Sequence, residues 1–307
     1  MPEKTSDIWW LFSRQTVSIT ARESVLNSAL LMKNRNFRHL PVLASSGRIM
    51  GIVSAQDIID TINLTLKSSI SAGEVKASLE IPVERVMTGQ PIVVEPGDGL
   101  KEVIKKFCYH SVGALPVVNM LGVVEGIITL RDLVSLMGIS SSPMNLPVSE
   151  IMNTNVITIA PDSALADCVE LMSEMRVRRL PVIDGKEAVI GVLTNKDVLR
   201  HIAKIASGGS VLSGFERKVS DFMATGVIDI GHEDDVRIAA NQMTTFGVGG
   251  LVIEDLPSRR IALVTERDLI KTLSSKRGID FLMASMQYEL ETEDAMSRLS
   301  SFSSTSR

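Results

Sequence analysis

Four copies of one short pattern carry the residue types in this chain that could do chemistry: Ser54-x-x-Asp57, Thr129-x-x-Asp132, Thr194-x-x-Asp197 and Thr265-x-x-Asp268, each behind an apolar stretch. Two uses of the pattern stand open. A hydroxyl and a carboxylate three residues apart at a helix start form a capping box, in which the side-chain oxygens accept orphan backbone N–H groups. The same helix start, with its free N–H groups, also favours an anion such as phosphate. The residue before the aspartate is Arg131, Lys196 and Arg267 in three copies and Gln56 in the first. A hydroxyl, a carboxylate and a cation around one helix end suit ribose hydroxyls plus a phosphate, the carboxylate accepting from the 2′- and 3′-OH. A sugar nucleotide therefore fits this group better than free phosphate.

The elements that must position these residues repeat with them. His39-Leu40-Pro41-Val42, Ala114-Leu115-Pro116-Val117, Arg179-Leu180-Pro181-Val182 and Gly250-Leu251-Val252-Ile253 each read as an apolar strand. The anchors Pro41, Pro116, Pro181 and Val252 each precede the aspartate by 16 residues, since 57 − 41, 132 − 116, 197 − 181 and 268 − 252 agree. Ser18, Val93, Thr158 and Asp229, in matching upstream strands, each precede the same anchor by 23. Two constant separations in four copies define a repeat protein. Each unit reads β-α-β-β-α over about 55 to 60 residues, a size marginal alone, so the units are expected to pair. The continuous apolar runs predict sheets covered on both faces.

The chain has 307 residues, 45% of them apolar and 22% charged, and a formal net charge of −4. That composition belongs to a globular protein and argues against non-specific nucleic-acid binding, which needs a positive field over one face. The 4% aromatic content argues the same way for single strands. No apolar run approaches the ~20 residues of a membrane helix, and the start lacks the order of a secretory signal. Cys108 and Cys168 sit in apolar helical patterns and read as small buried hydrophobes in a reducing cytosol. His39, His110, His201 and His232 are too scattered for a metal cluster.

In order, residues 1–14 form a leader in which Trp9-Trp10-Leu11-Phe12 reads as a helix packed on the first repeat, with a membrane-surface anchor as the other reading. Repeats follow at 15–74, 83–139, 147–206 and 217–275, with the boundary between halves at Ser140-Ser141-Ser142-Pro143. In the 276–307 tail, Ile279, Leu282, Met283, Met286 and Leu290 make a helical stripe before a Ser/Thr-rich end expected to be disordered.

The order strand, helix, Leu-Pro-Val strand, then Gly-apolar-apolar-Ser/Thr-x-x-Asp into a helix resembles the CBS domain, four times over. Val86-Met87-Thr88 and Ile151-Met152-Asn153-Thr154 resemble that family's lead into a repeat. The resemblance implies an α/β (α+β) fold of four units paired into two Bateman modules in a flat disc, similar in layout to the γ subunit of AMP-activated protein kinase. It implies adenosine ligands in the clefts between paired repeats: AMP, ADP or ATP, the last with accompanying Mg, or S-adenosylmethionine. Asp57, Asp132, Asp197 and Asp268 would then hold ribose, supported by Ser54, Thr129, Thr194 and Thr265. The base would be held from the partner repeat.

On that pairing the Asp132 cleft would combine Arg131 with Thr16, Thr20, Phe37 and Arg38, and the Asp268 cleft would combine Arg267 with Asn155, Ala160, Val177 and Arg178. Asp197, with Lys196, would face Gly226, Gly231, Val248 and Gly249. Asp57 would have only Gln56 and would face Glu95, which repels phosphate. Arg38-His39 and Arg178-Arg179 read either as a solvated rim or as cleft residues. Repeat 4 departs from the pattern, with Val252 where proline is usual and no basic residue before Leu251.

The expected function is a non-catalytic regulatory protein that binds adenine nucleotides and passes its state to a partner protein, in the cytoplasm, without nucleic acid or membrane and with a homodimer compatible. No nucleophile with a base, no paired acids and no phosphate loop appears, and Gly208-Gly209 lies in a linker. The alternatives are a structural scaffold with empty clefts, whose 279–290 stripe docks a partner or second copy, and an S-adenosylmethionine module.

Overall fold

The structure, a computed structural model, describes residues 11–13, 16–68, 77–206, 214–253 and 261–285. Repeat 1 runs β1 (Ile19–Thr20), α1 (Val25–Arg35), β2 (His39–Leu43), β3 (Ile49–Ser54) and α2 (Ala55–Ser68). Repeat 2 supplies β4 (Thr88–Gly89), α3 (Leu100–His110), β5 (Ala114–Val118), β6 (Val124–Thr129) and α4 (Leu130–Gly138). Repeat 3 gives α5 (Leu165–Glu174), β7 (Arg179–Ile183), β8 (Val189–Thr194) and α6 (Asn195–Ala206). Repeat 4 gives α7 (Val236–Thr245), β9 (Gly250–Ile253), β10 (Ala262–Thr265) and α8 (Glu266–Thr272).

Local sequence explains the starts and stops. Ser24 caps α1, its hydroxyl accepting from Asn27 N at 3.0 Å, and Asn36 ends the helix in the left-handed region, which asparagine tolerates. Each anchor proline or valine sits in the middle of an antiparallel hairpin: Pro41 faces Ile52, Pro116 faces Ile127, Pro181 faces Val192 and Val252 faces Leu263. A parallel strand or bridge flanks each hairpin: Ile19 to Val42, Val94 to Val117, Ile159 to Val182, Asp229 to Val252.

The segment leading into each repeat is laid not on that repeat but on its neighbour. Thr88 pairs with Ile52 of repeat 1, Asn153 with Leu263 of repeat 4, Ala224 with Val192 of repeat 3, and Ser13 with Ile127 of repeat 2. These four residues each lie 28 before an anchor, as 41 − 13, 116 − 88, 181 − 153 and 252 − 224 show. Repeats 1 and 2, and 3 and 4, are therefore tied by backbone hydrogen bonds. The leader needs correcting on this point: its described residues, 11–13, pack on the second repeat. Phe12 is buried there, filling space that a side chain on Gly126 would take, since a Cβ at Gly126 would lie 2.1 Å from the Phe12 ring. Trp9 and Trp10 lie outside the described residues.

The apolar cores run the other way. One joins repeats 1 and 3, including Val25, Leu40, Ile58 and Ile62 with Leu165, Val182, Leu193 and Ile202; the other joins repeats 2 and 4. Helix α1 packs on α6, α2 on α5, and α4 on α7 and α8. Side chains such as Leu40, Ile58 and Ile62 are fully buried, and each such burial stabilises the fold by roughly 1.5–3 kcal/mol. The tail stripe also turns inward. Residues 276–285 are helical, and Leu282 is buried in the second core with Ile279 and Met283 packed beside it. That part of the stripe is thus taken by the chain itself, because the repeat 2–4 core leaves apolar surface that a following helix covers; Met286 and Leu290 lie outside the described residues.

One buried polar residue makes stability depend on pH. His201 on α6 is packed edge-on against Phe215 and Phe222, and among the described residues neither ring nitrogen finds a hydrogen-bond partner. Burial, then Arg217 and Lys204, lowers its pKa from 6.5 to about 4. Below 6.5 the unfolded chain binds a proton that the folded chain refuses, so stability falls as pH drops from 6.5 towards 4 and levels off below. Between pH 7 and 5 the loss should be about 2 kcal/mol, or about 3 °C in Tm. Thermal melts at both pH values check this, and His201→Leu should flatten the difference.

Candidate functional site

The four Ser/Thr–Asp pairs form capping boxes of one geometry. Asp57 Oδ2 accepts from Ser54 N at 2.6 Å and its Oγ at 2.8 Å; Asp132 Oδ2 accepts from Thr129 N at 2.6 Å and Oγ1 at 2.8 Å. Asp197 and Asp268 repeat this with Thr194, at 2.8 and 2.6 Å, and Thr265, at 3.0 and 2.6 Å. Capping and ligand binding are compatible, because the box uses one oxygen only. Asp197 Oδ1 takes Arg200 at 2.6 Å and Asp268 Oδ1 takes Lys271 at 3.3 Å. Among the described residues, the second oxygen of Asp132 accepts no protein hydrogen bond. Burial raises the pKa of Asp132 against the lowering by its Thr129 bonds, and does the same at Asp57 against Ser54.

Of the cavities that open beside these boxes, three take in the cation that precedes the aspartate. The first, of about 360 Å3, is lined by Thr129, Arg131 and Asp132 of repeat 2 and by Thr16, Phe37, Arg38 and His39 of repeat 1, with Lys196 reaching in from repeat 3. The second, of about 700 Å3, joins Thr265, Arg267 and Asp268 of repeat 4 to Val177, Arg178 and Arg179 of repeat 3. The third, of about 200 Å3, joins Thr194, Lys196 and Asp197 to Gly226, Val248 and Gly249 across the cleft. Thr20, Asn155, Ala160 and Gly231 line none of the three, nor do Ser54 and Asp57. In repeat 1 Gln56 lines the second cavity rather than one beside Asp57, and its Nε2 donates to Asp60 Oδ1 and to Met172 O of repeat 3, both at 3.1 Å. Glu95 is exposed, its amide donating to Asp98 at 3.1 Å.

The arginine pairs are half-buried residues of the cleft walls rather than a solvated rim. Burial, followed by Arg267, Arg38 and Arg179, lowers the Arg178 pKa to about 10; burial and neighbouring cations outweigh Glu266 to bring Arg179 to about 10 as well. Lys196 is lowered to about 8 by burial, then by Arg131 and Arg38, and its Nζ donates to Asn36 Oδ1 at 2.7 Å. His39 is held well below its usual pKa by burial and by Arg178, Arg38 and Arg267. Opposite these cations the even repeats carry glycine. A Cβ on Gly113 would lie 2.7 Å from the His39 ring, and one on Gly250 would lie 2.0 Å from an Arg179 nitrogen. At the position where repeats 1 and 3 carry Arg38-His39 and Arg178-Arg179, repeats 2 and 4 carry Gly113-Ala114 and Gly249-Gly250.

One residue of this site escapes the repeat pattern. Glu266, 3% exposed, accepts from Arg38 Nη2 at 2.7 Å and from Arg131 Nε at 3.2 Å. Burial would raise its pKa, but Arg38, Arg179 and Arg131 together hold it below the usual value. The same place in the other repeats holds Ala55, Leu130 and Asn195, and that break in the pattern is the sequence signal that could have found it.

Comparison with known proteins agrees with this architecture. The model of the CBS domain matches residues 6–64, 83–138, 148–204 and 219–275, so the chain belongs to the CBS domain family, with four such domains. It is 28% identical over 274 residues, 86% of this chain and 90% of the other, to an uncharacterised 33.4 kDa protein of the ribosomal RNA operon of Thermofilum pendens. Among solved structures it is similar to protein MJ1225 of Methanocaldococcus jannaschii, proposed to be an archaeal homologue of the γ subunit of AMP-activated protein kinase. That match has a TM-score of 0.75 and 22% identity, over 87% of this chain and 99% of that one. An uncharacterised conserved protein from Pyrococcus horikoshii matches with a TM-score of 0.59 and 18% identity, over 87% and 99% of the two chains. At these identities the two structures speak for the fold. No helix among the described residues is long and apolar enough to cross a membrane.

Proposed function

We propose that this chain is a non-catalytic regulatory protein that binds adenine nucleotides, AMP, ADP or ATP, in the clefts between paired repeats and passes its occupancy to a partner protein in the cytoplasm. The observation that carries the reading is the 360 Å3 cleft in which Asp132, its free carboxylate oxygen, Arg131, Arg38, Lys196 and the Phe37 ring converge from three repeats. The carboxylate suits a ribose diol, the cations a phosphate chain with its Mg, and the ring a purine face. The Asp268 cleft offers the same chemistry through Arg267, Arg178 and Arg179. A ligand bridging repeats 1 and 2 would shift their relative populations only as far as its differential affinity for two arrangements allows.

Thermal melts with AMP, ATP and S-adenosylmethionine test the reading. At a hundredfold excess over Kd a bound nucleotide adds about 2.7 kcal/mol, a Tm rise of about 4 °C for a chain of this size. A rise with AMP or ATP supports the nucleotide reading. A rise with S-adenosylmethionine alone replaces it with the sulfonium ligand, and no rise with any of the three leaves a scaffold.

A further inference from the structure

The junction where the clefts meet is overloaded with positive charge. Arg38, Arg131, Arg178, Arg179, Lys196 and Arg267 line adjoining cavities, and among the described residues Arg178 and Arg267 have no carboxylate within ion-pair distance. Against them stand the wall carboxylates of Asp132, Asp197 and Asp268, the last two also held by Arg200 and Lys271, and Glu266, whose side chain is 4% exposed. It is gripped from two other repeats at once, by Arg38 and Arg131, while the Arg131 Nη2 also donates to Gly247 O at 3.1 Å. The glycine pair 249–250 leaves the room for this. A Cβ on Gly249 would lie 2.7 Å from Arg179, 3.1 Å from the Glu266 carboxyl carbon and 3.2 Å from Arg38. Uncompensated like charges in so buried a place are costly, and a carboxylate offers the two-oxygen edge that guanidinium groups match to phosphate as well.

We infer that Glu266 is the charge-selectivity residue of these clefts: its carboxylate holds the guanidinium edges of Arg38 and Arg131 that a ligand's outer phosphates would otherwise take. A phosphate chain entering the Asp132 cleft must share those guanidiniums or displace the carboxylate, and each added phosphate meets the same internal competitor. The ligand identity rests on the nucleotide reading above; the anion chemistry of the junction does not.

The test uses the full chain, Glu266→Gln, which removes the charge, and Glu266→Asp, which keeps it but withdraws it by one methylene, as a second variant that tolerates the buried cations. Calorimetric titration with ATP, AMP and adenosine, and thermal melts with inorganic pyrophosphate, are compared with the parent chain. The expected result is ATP binding at least about tenfold tighter in Glu266→Gln, a smaller gain for AMP, no change for adenosine, and a larger pyrophosphate-induced Tm rise in both variants. Unchanged ATP to adenosine selectivity with unchanged pyrophosphate response in a folded variant overturns the inference while leaving nucleotide binding standing. Nucleotides binding none of the proteins, with pyrophosphate stabilising the variants more than the parent, overturns the nucleotide reading and keeps Glu266 in its role.

Discussion

Asp132→Ala is expected to weaken adenine-nucleotide binding by about a hundredfold, Asp268→Ala by a similar factor, and Asp57→Ala by less than about threefold, by calorimetric titration of each variant. The first two lose a carboxylate that lines a cleft rich in cations; Asp57 lines none of the three clefts, and its neighbour Gln56 is tied to Asp60 and Met172. Two charge-assisted hydrogen bonds to a ribose diol, at roughly 1.5 kcal/mol each, set the size of the loss. The shared capping role supplies its own control. All four aspartates accept from the N–H and hydroxyl of their Ser or Thr partner, so each alanine variant should lose about 1 kcal/mol of stability. Equal drops in Tm with unequal losses of affinity separate ligand binding from capping, whereas equal losses of affinity at Asp57, Asp132 and Asp268 would defeat the ranking of the clefts.

The second large effect is structural. Gly138 closes α4 where it crosses α7, and a Cβ there would lie 2.9 Å from both Cα and N of Asn241 and 3.0 Å from the carbonyl carbon of Ala240. These are backbone atoms, which cannot rotate away as a side chain would. The contact is further fixed by Asn241 Nδ2 donating to Gly138 O at 3.2 Å. Gly138→Ala should therefore push the helices of repeats 2 and 4 apart and cost about 3 kcal/mol, about 5 °C in Tm. Gly97→Ala and Gly185→Ala, where nothing lies within 4 Å of the new methyl, should be neutral or slightly stabilising. A Gly138→Ala chain melting with those controls would mean that the interface between repeats 2 and 4 yields more easily than its backbone contacts suggest.

Much of this molecule was legible before any coordinates. The 16-residue separation from anchor to aspartate spans two strands and one helix start, all local, so the spacing marked the strands and the helix starts in all four repeats, while the register that sets Pro41 opposite Ile52 came from the structure. The Asp132 cleft, with Thr16, Phe37 and Arg38, was also within reach, because the family resemblance implied how tandem units pair. Thr20, Asn155 and Ala160 were placed by analogy along the chain, and the structure sets them outside the cavities they were matched to. The leader was less legible: Phe12 sits over repeat 2 because the groove above Gly126 belongs to that repeat, and no local pattern announces it.

The sequence by itself determined the repeated unit, its strands and its helix starts, because apolar runs and capping boxes involve residues a few positions apart. Only the tertiary structure decided which repeats share a core and which charges meet. Apolar helix stripes in four similar units could pair in several ways, and the fold joins repeat 1 with 3 and repeat 2 with 4. Glu266 shows the limit most sharply. In the chain it is an acid in the first turn of a helix where the other repeats carry Ala55, Leu130 and Asn195, and it becomes a counter-charge of the junction only because folding brings Arg38 to it across 228 residues.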